Sequence, residues 1–310
     1  MLRILTRAFA IDNAIRHKAA VILTGCGSMD GSEIHEATSA IISLSSLGMQ
    51  YQCYAPNIKQ YHTINHLINE EANQPRNVLE EAARIARGNV KNMEELKASD
   101  YDILVVPGGF GVAKNLSDFA FKNEKFTVSP SFEKVIMDFY NNKKVMAFCC
   151  ISPLIAAKVF SKNGVSAKLS MGMKGDDWKF SGTIDIMKDF GLEHVDTHVM
   201  AHSYDEAHKI LCTPCYMSSK ATPATVYRGI NTMLIQANNI LNRAQKPKDI
   251  GVNKKVLPTP EKPPAGEEQK KKKFKEIKPS TPKKEATKKP EKDNVRKSDN
   301  DHIKNSDKKK

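Results

Sequence analysis

The run Val145-Met-Ala-Phe-Cys-Cys-Ile-Ser-Pro153 constrains this chain more than any other segment. A short apolar run bounded by turn residues reads as a buried strand, and Pro suits the first turn of the helix that should follow. Cys150 is thereby placed on a strand-to-helix turn, with the geometry of a nucleophile elbow. Such a turn exposes its side chain at the edge of a sheet, beside a helix N-terminus that lowers a thiol pKa. The alternative is that Cys149 and Cys150 are small apolar residues filling a strand end.

The rest of the first 245 residues repeats the same rhythm. Ala19–Thr24 is an apolar strand followed by the glycine-rich turn Gly25-Cys-Gly-Ser-Met-Asp-Gly31. A helix is expected from Glu33 to Leu47, with Ile34, Ala37, Ile41 and Leu44 on one face and Gly48 at its end. Further strands are expected at Tyr51–Ala55, Tyr101–Gly109 and Lys209–Thr213. Further helices are expected at Asn77–Arg87, Phe132–Tyr140, Pro153–Phe160 and Ala224–Leu241. Strands alternating with helices predict an α/β fold whose mostly parallel sheet is covered on both faces. In open sheets of that kind the site lies beyond the carboxyl ends of the strands. Three features converge there: Gly25–Glu36, Pro107–Gly111 and Cys149–Pro153.

Charge separates the chain into a body and a tail. Residues 246–310 hold 21 Lys and one Arg against 11 acids, a net of +11. Of the chain's +13 this leaves +2 for residues 1–245. With Phe274 as its one aromatic, the tail lacks the apolar surface to fold and reads as disordered. Its run Lys270-Lys-Lys-Lys-Phe-Lys275 fits weak polyanion binding, a nuclear-import signal, or simple solvation. At the other end, residues 1–18 carry Arg3, Arg7, Arg16 and Lys18 against Asp12. They read as a mitochondrial targeting segment or as a frayed extension.

No apolar run approaches the ~18 residues a membrane helix needs, so a soluble protein without a membrane span is expected. Six cysteines on strands or strand ends suggest reduced thiols rather than a disulfide scaffold. Cys212-Thr-Pro-Cys215 has redox or zinc spacing, but a single such pair does not make a zinc site. Nothing asks for a metal or a nucleotide, and no cofactor is expected.

Several segments in order carry a resemblance. Gly25-Cys-Gly-Ser-Met-Asp-Gly-Ser-Glu-Ile-His-Glu-Ala37, Arg76–Arg84, Val106-Pro-Gly-Gly-Phe-Gly-Val-Ala-Lys-Asn-Leu-Ser117, Cys149–Pro153 and Thr213-Pro-Cys-Tyr-Met217 resemble the ElbB family. This is the enhancing-lycopene-biosynthesis group, whose animal members are mitochondrial glutamine-amidotransferase-like proteins. The resemblance runs from Ala19 to Leu241, placing a class I glutamine-amidotransferase-like domain at residues 19–245. The wider superfamily holds PfpI-type proteins and the parkinsonism-associated deglycase, which implies a flavodoxin-like three-layer sandwich.

What the resemblance implies for the site is a Cys150 nucleophile, a Glu36 partner and an oxyanion hole made by the amides of Gly109 and Ile151. Read without it, Glu36 fits a solvated first-turn acid better than a catalytic one, and Glu33 is its rival on nearly the same helical face. His35 and the Asp30-Gly31 turn lie where they would shape an entrance. Class I amidotransferases use a Cys-His-Glu triad, whereas Ile151 here stands where PfpI-type members carry His. His198 or His202 is the remaining candidate for a third member. The missing base argues against glutamine hydrolysis.

The implied activity is therefore a cofactor-independent glyoxalase or deglycase acting on glyoxal, methylglyoxal or their early glycation adducts and releasing 2-hydroxy acids. The alternative is a non-enzymatic cysteine redox sensor or binding module. Expected partners are the small dicarbonyl, a second copy of the chain in a homodimer, and polyanions held weakly by the tail. The expected location is the mitochondrion, with cytoplasm or nucleus as alternatives.

Overall fold

The computed structural model describes residues 17–245, in which strand and helix alternate as the sequence pattern predicts. The expectations for residues 1–16 and 246–310 lie outside the described residues. β1 (Lys18–Ile22) leads through the glycine-rich loop to α1 (Ile34–Ser46) and β2 (Gln50–Ala55). A small hairpin of β3 (Ile64–Asn65) and β4 (Glu70–Glu71) precedes α2 (Val78–Ala86) and the three-residue β5 (Val90–Asn92). β6 (Ile103–Val106) runs into α3 (Phe110–Asn115) and α4 (Phe119–Lys122). Then come α5 (Pro130–Asn141), β7 (Val145–Cys149) and α6 (Ser152–Lys162). An excursion of β8 (Lys168–Leu169), α7 (Gly182–Asp189) and β9 (Glu193–His194) leads to β10 (Ser203–Asp205), β11 (Ile210–Thr213) and α8 (Pro223–Gln245).

The main sheet has seven strands in the order β10-β11-β7-β6-β1-β2-β5. Every pairing in it is parallel except that of β10 with β11 at one edge. The segment β2-β1-β6-β7-β11 has the flavodoxin-like strand order, with β5 added outside β2. α1 packs against α8 and α2, whereas α5 packs against α6 and both touch β7. The result is the three-layer sandwich that the resemblance implies.

Two-sided cover explains the composition of the central strands. All four residues of β6 and all five of β7 are buried, so both read as continuous apolar runs without alternation. Phe148 on β7 and Phe132 and Phe139 on α5 are fully enclosed. Truncating any one to Ala would cost about 3–5 kcal/mol.

The chain turns from β1 toward β2 on one side and returns to β6 on the other. That reversal opens a crevice beyond the carboxyl ends of β1 and β6. The loops after β1, β6 and β7 meet there, which positions the site.

Candidate active site

Cys150 follows the last residue of β7 and adopts φ 59°, a left-handed conformation that costs a non-glycine residue about 1–2 kcal/mol. The bend is held from several sides. The Cys150 amide donates to the Thr213 carbonyl on β11 at 3.0 Å. Ser152 Oγ accepts the Cys149 N–H at 2.9 Å and lies 2.9 Å from the Val106 carbonyl, tying the elbow to β6. Pro153 sits in the first turn of α6, where its missing N–H is harmless. Cys150 thus stands on a strand-to-helix turn, but its side chain is 9% exposed rather than open to solvent, and Cys149 is fully buried in the sheet.

Glu36 enters from α1. Glu33 caps that helix, its Oε2 accepting the Glu36 N–H at 2.8 Å. Glu36 is completely buried, so it is not the solvated first-turn acid that the sequence also allows. Its Oε2 accepts the Gly108 N–H at 2.8 Å, its Oε1 accepts the Tyr216 N–H at 3.5 Å, and the carboxyl is hydrogen-bonded to the Cys150 thiol. Burial, reinforced by the Glu33 carboxylate, pushes its pKa up to about 8. Glu33 is also raised by burial, but it faces the cavity and the helix start rather than the sulfur.

The amides of Gly109 and Ile151 are directed at Cys150 Sγ. Both glycines after β6 are required by contact. A Cβ on Gly108 would collide with Cys150 Cβ and stand 2.6 Å from Glu36 Oε2. Gly109 has φ 98° and is backed by the Gly31 and Glu33 backbone.

One expectation is reversed. The helix N-terminus leads one to expect a lowered pKa at Cys150, yet the thiol lies well above its ordinary value. Burial dominates, and the neighbouring Glu36 adds to it, outweighing the two amides.

Of the candidate residues, Cys150, Glu36, Gly109 and Ile151 come together. His198 and His202 do not. The His198 ring accepts from the Met200 amide at 3.4 Å, and neither histidine is among the described residues lining the cavity. His35 lies at the rim, with Nδ1 2.8 Å from the Tyr216 hydroxyl and 3.7 Å from Glu33. Cys212 and Cys215 are buried free thiols, and Cys215 is hydrogen-bonded to Cys149. Among the described residues no cluster of His, Cys, Asp and Glu is arranged to hold a metal ion, and no helix is long and apolar enough to cross a membrane.

Sequence reasoning missed the site role of Tyr216, whose amide reaches Glu36 across 180 positions. The signal was present in Thr213–Met217, one of the segments carrying the resemblance. It also missed the cavity. A space of about 450 Å³ opens on Cys150, walled largely by Phe110, Phe119, Ile151, Phe180 and Met217.

Comparison with known proteins decides the family. A rat protein, "ES1 protein homolog, mitochondrial", is 39% identical over 204 residues, covering 65% of this chain and 76% of that protein. The chain belongs to the ES1 family. A human member, "Glutamine amidotransferase-like class 1 domain-containing protein 3, mitochondrial", is 36% identical over 219 residues, covering 70% of this chain and 81% of its own length. The crystal structure of an Ehrlichia chaffeensis "isoprenoid biosynthesis protein with amidotransferase-like domain" superposes with a TM-score of 0.66 at 34% identity. It spans 73% of this chain and 99% of its own. No protein-family model matches. The mitochondrial names of the ES1 relatives agree with the location expected for this chain.

Proposed function

We propose that this ES1-family protein is a cofactor-independent enzyme that uses Cys150 as a nucleophile toward the aldehyde of a 2-oxoaldehyde. The Cys150 proton passes to Glu36 as sulfur adds to the aldehyde carbon, giving a hemithioacetal. The developing oxyanion is met by the Gly109 and Ile151 amides, which already converge on the sulfur. The hemithioacetal then isomerises. Glu36 first hands the thiol proton to the oxyanion, then, as a carboxylate again, removes the proton from the former aldehyde carbon and delivers it to the neighbouring carbon through an enediol. This oxidises the first carbon to a thioester and reduces the second to an alcohol, with no outside oxidant. Water cleaves the thioester, releasing a 2-hydroxy acid and restoring the Cys150 thiol. The functional unit is expected to be a homodimer.

The observation carrying this reading is the buried hydrogen bond between Cys150 and a Glu36 whose pKa stands near 8. A carboxyl titrating near the working pH both accepts and returns a proton, which an ordinary carboxylate does poorly. A peroxide-sensing cysteine, by contrast, is expected to be exposed and acidic. Cys150 is 9% exposed, with its pKa raised. Amide hydrolysis lacks a basic histidine among the described cavity residues.

Purified full-length protein incubated with glyoxal should form glycolate, read by mass spectrometry, and Cys150→Ser should form none. Glycolate at equal rates from both proteins, or from neither, would remove the proposed activity.

A further inference from the structure

The cavity ending at Cys150 is much larger than a two- or three-carbon dicarbonyl needs. Its volume of about 450 Å³ corresponds to roughly fifteen waters at liquid density. A molecule such as methylglyoxal would leave most of that space to water.

Its walls are also poorly suited to small hydrated carbonyls. Phe110, Phe119, Ile151, Phe180, Ile186 and Met217 present carbon to the space. The rings of Phe110 and Phe180 meet edge to face with centroids 6.1 Å apart, and Phe180 remains 40% exposed. Water against such walls makes few hydrogen bonds, so an apolar group that displaces it is favoured. Aromatic side chains set edge to face add a preference for a further ring. Among the described residues bounding the space, Glu33 is the only acid and Lys179 the only cation. A phosphorylated substrate would ask for more than one cationic partner.

We infer that the site takes 2-oxoaldehydes whose second carbonyl carries an aromatic or branched apolar group, with phenylglyoxal as the representative size. This rests on the reaction proposed above and narrows its substrate class. The reacting carbons sit against Cys150, and the apolar group fills the space between the Phe110–Phe180 pair and Ile186. One methylene in a well-fitted apolar pocket changes discrimination by about 10–200-fold, so a whole ring can decide specificity.

The test uses full-length protein and two independent readouts. The first is kcat/KM for phenylglyoxal and methylglyoxal, followed as mandelate and lactate. The second is protection of Cys150 from iodoacetamide by mandelate and by lactate, which react with nothing and so report the cavity alone. Phenylglyoxal should be turned over at least about tenfold more efficiently, and mandelate should protect at about tenfold lower concentration. Ala120→Phe, which fills the cavity from α4, should pull both ratios toward one. Equal turnover and equal protection in the wild-type protein would overturn the apolar preference while leaving the reaction standing. Selective protection by mandelate with no turnover of either dicarbonyl would overturn the reaction, and with it the substrate named here, while leaving an apolar ligand class.

Discussion

The Cys150 thiol and the Glu36 carboxyl share a hydrogen bond where Glu36 has no exposed surface and Cys150 almost none. Two acids in one poorly solvated space cannot both ionise cheaply: burial and Glu33 raise Glu36, and Glu36 in turn raises Cys150, while the thiol itself eases the ionisation of Glu36. The pair therefore behaves as one titrating unit with a single charge to place.

That coupling predicts the pH dependence of alkylation. Below about 8 the Glu36 carboxyl holds its proton and Cys150 remains a thiol, so reaction with iodoacetamide is slow. The first charge, gained near 8, settles on Glu36 and opposes a second on the sulfur, so labelling of Cys150 should still be slow at pH 8 and keep accelerating, by about tenfold per pH unit at most, up to pH 10. The measurement is the labelling rate of Cys150 by mass spectrometry from pH 5 to 10. A rate already level at pH 6 would show a thiolate stabilised beyond what this burial allows.

The same shift predicts a stability effect of definite sign. The Glu36 pKa is raised from the ordinary carboxylate range to about 8, so the folded state binds more protons than the unfolded state between those values. Stability contributed by the protonated form is complete at acid pH and is lost as pH rises toward 8. Glu36→Gln keeps the shape and cannot ionise. It should be more stable than wild type by about 4 kcal/mol at pH 8.5 and by about 1 kcal/mol or less at pH 5. Thermal melts at the two pH values decide it.

Much of this arrangement was legible in the sequence, and the physical reasons are specific. Tyr101–Gly109 and Val145–Cys149 announced buried strands because cover on both faces demands unbroken apolar runs. The Cys-Cys-Ile-Ser-Pro step announced a turn into a helix. Short elements were not legible: β5 has three residues, and α3 begins directly after a glycine pair, too brief for any periodicity. The antiparallel β10 depends on pairing with β11, which no local pattern encodes. The pKa of Cys150 runs against the helix N-terminus that the sequence makes visible, because its burial and the Glu36 carboxyl beside it arise only from tertiary packing.

Gly108 supplies a test of packing at the pair. A methyl group there has no room between Cys150 and Glu36. Gly108→Ala should destabilise the fold by about 1–3 kcal/mol. It should also weaken the amide's bond to Glu36, read as a change in the alkylation profile of Cys150. Unchanged melting and unchanged labelling would mean that the loop after β6 moves aside at little cost.

The two acids of α1 separate the roles proposed for the site. Glu36 touches the sulfur, whereas Glu33 caps the helix through the Glu36 amide and borders the cavity. Glu36→Gln cannot take a proton from the thiol or carry one between carbons, so kcat/KM for glyoxal or phenylglyoxal should fall by about a hundredfold or more. Glu33→Gln still offers an oxygen to cap the helix, and removing its charge relieves the repulsion that raises Glu36. Its turnover should fall by less than about tenfold, and the rise of its pH–rate profile should move to lower pH as Glu36 ionises more easily. If Glu33→Gln instead abolished turnover while Glu36→Gln kept it, the proton carrier would be the rim acid and Glu36 only a buried hydrogen-bond acceptor. The shift in the pH profile is the readout that a merely structural Glu33 would not give.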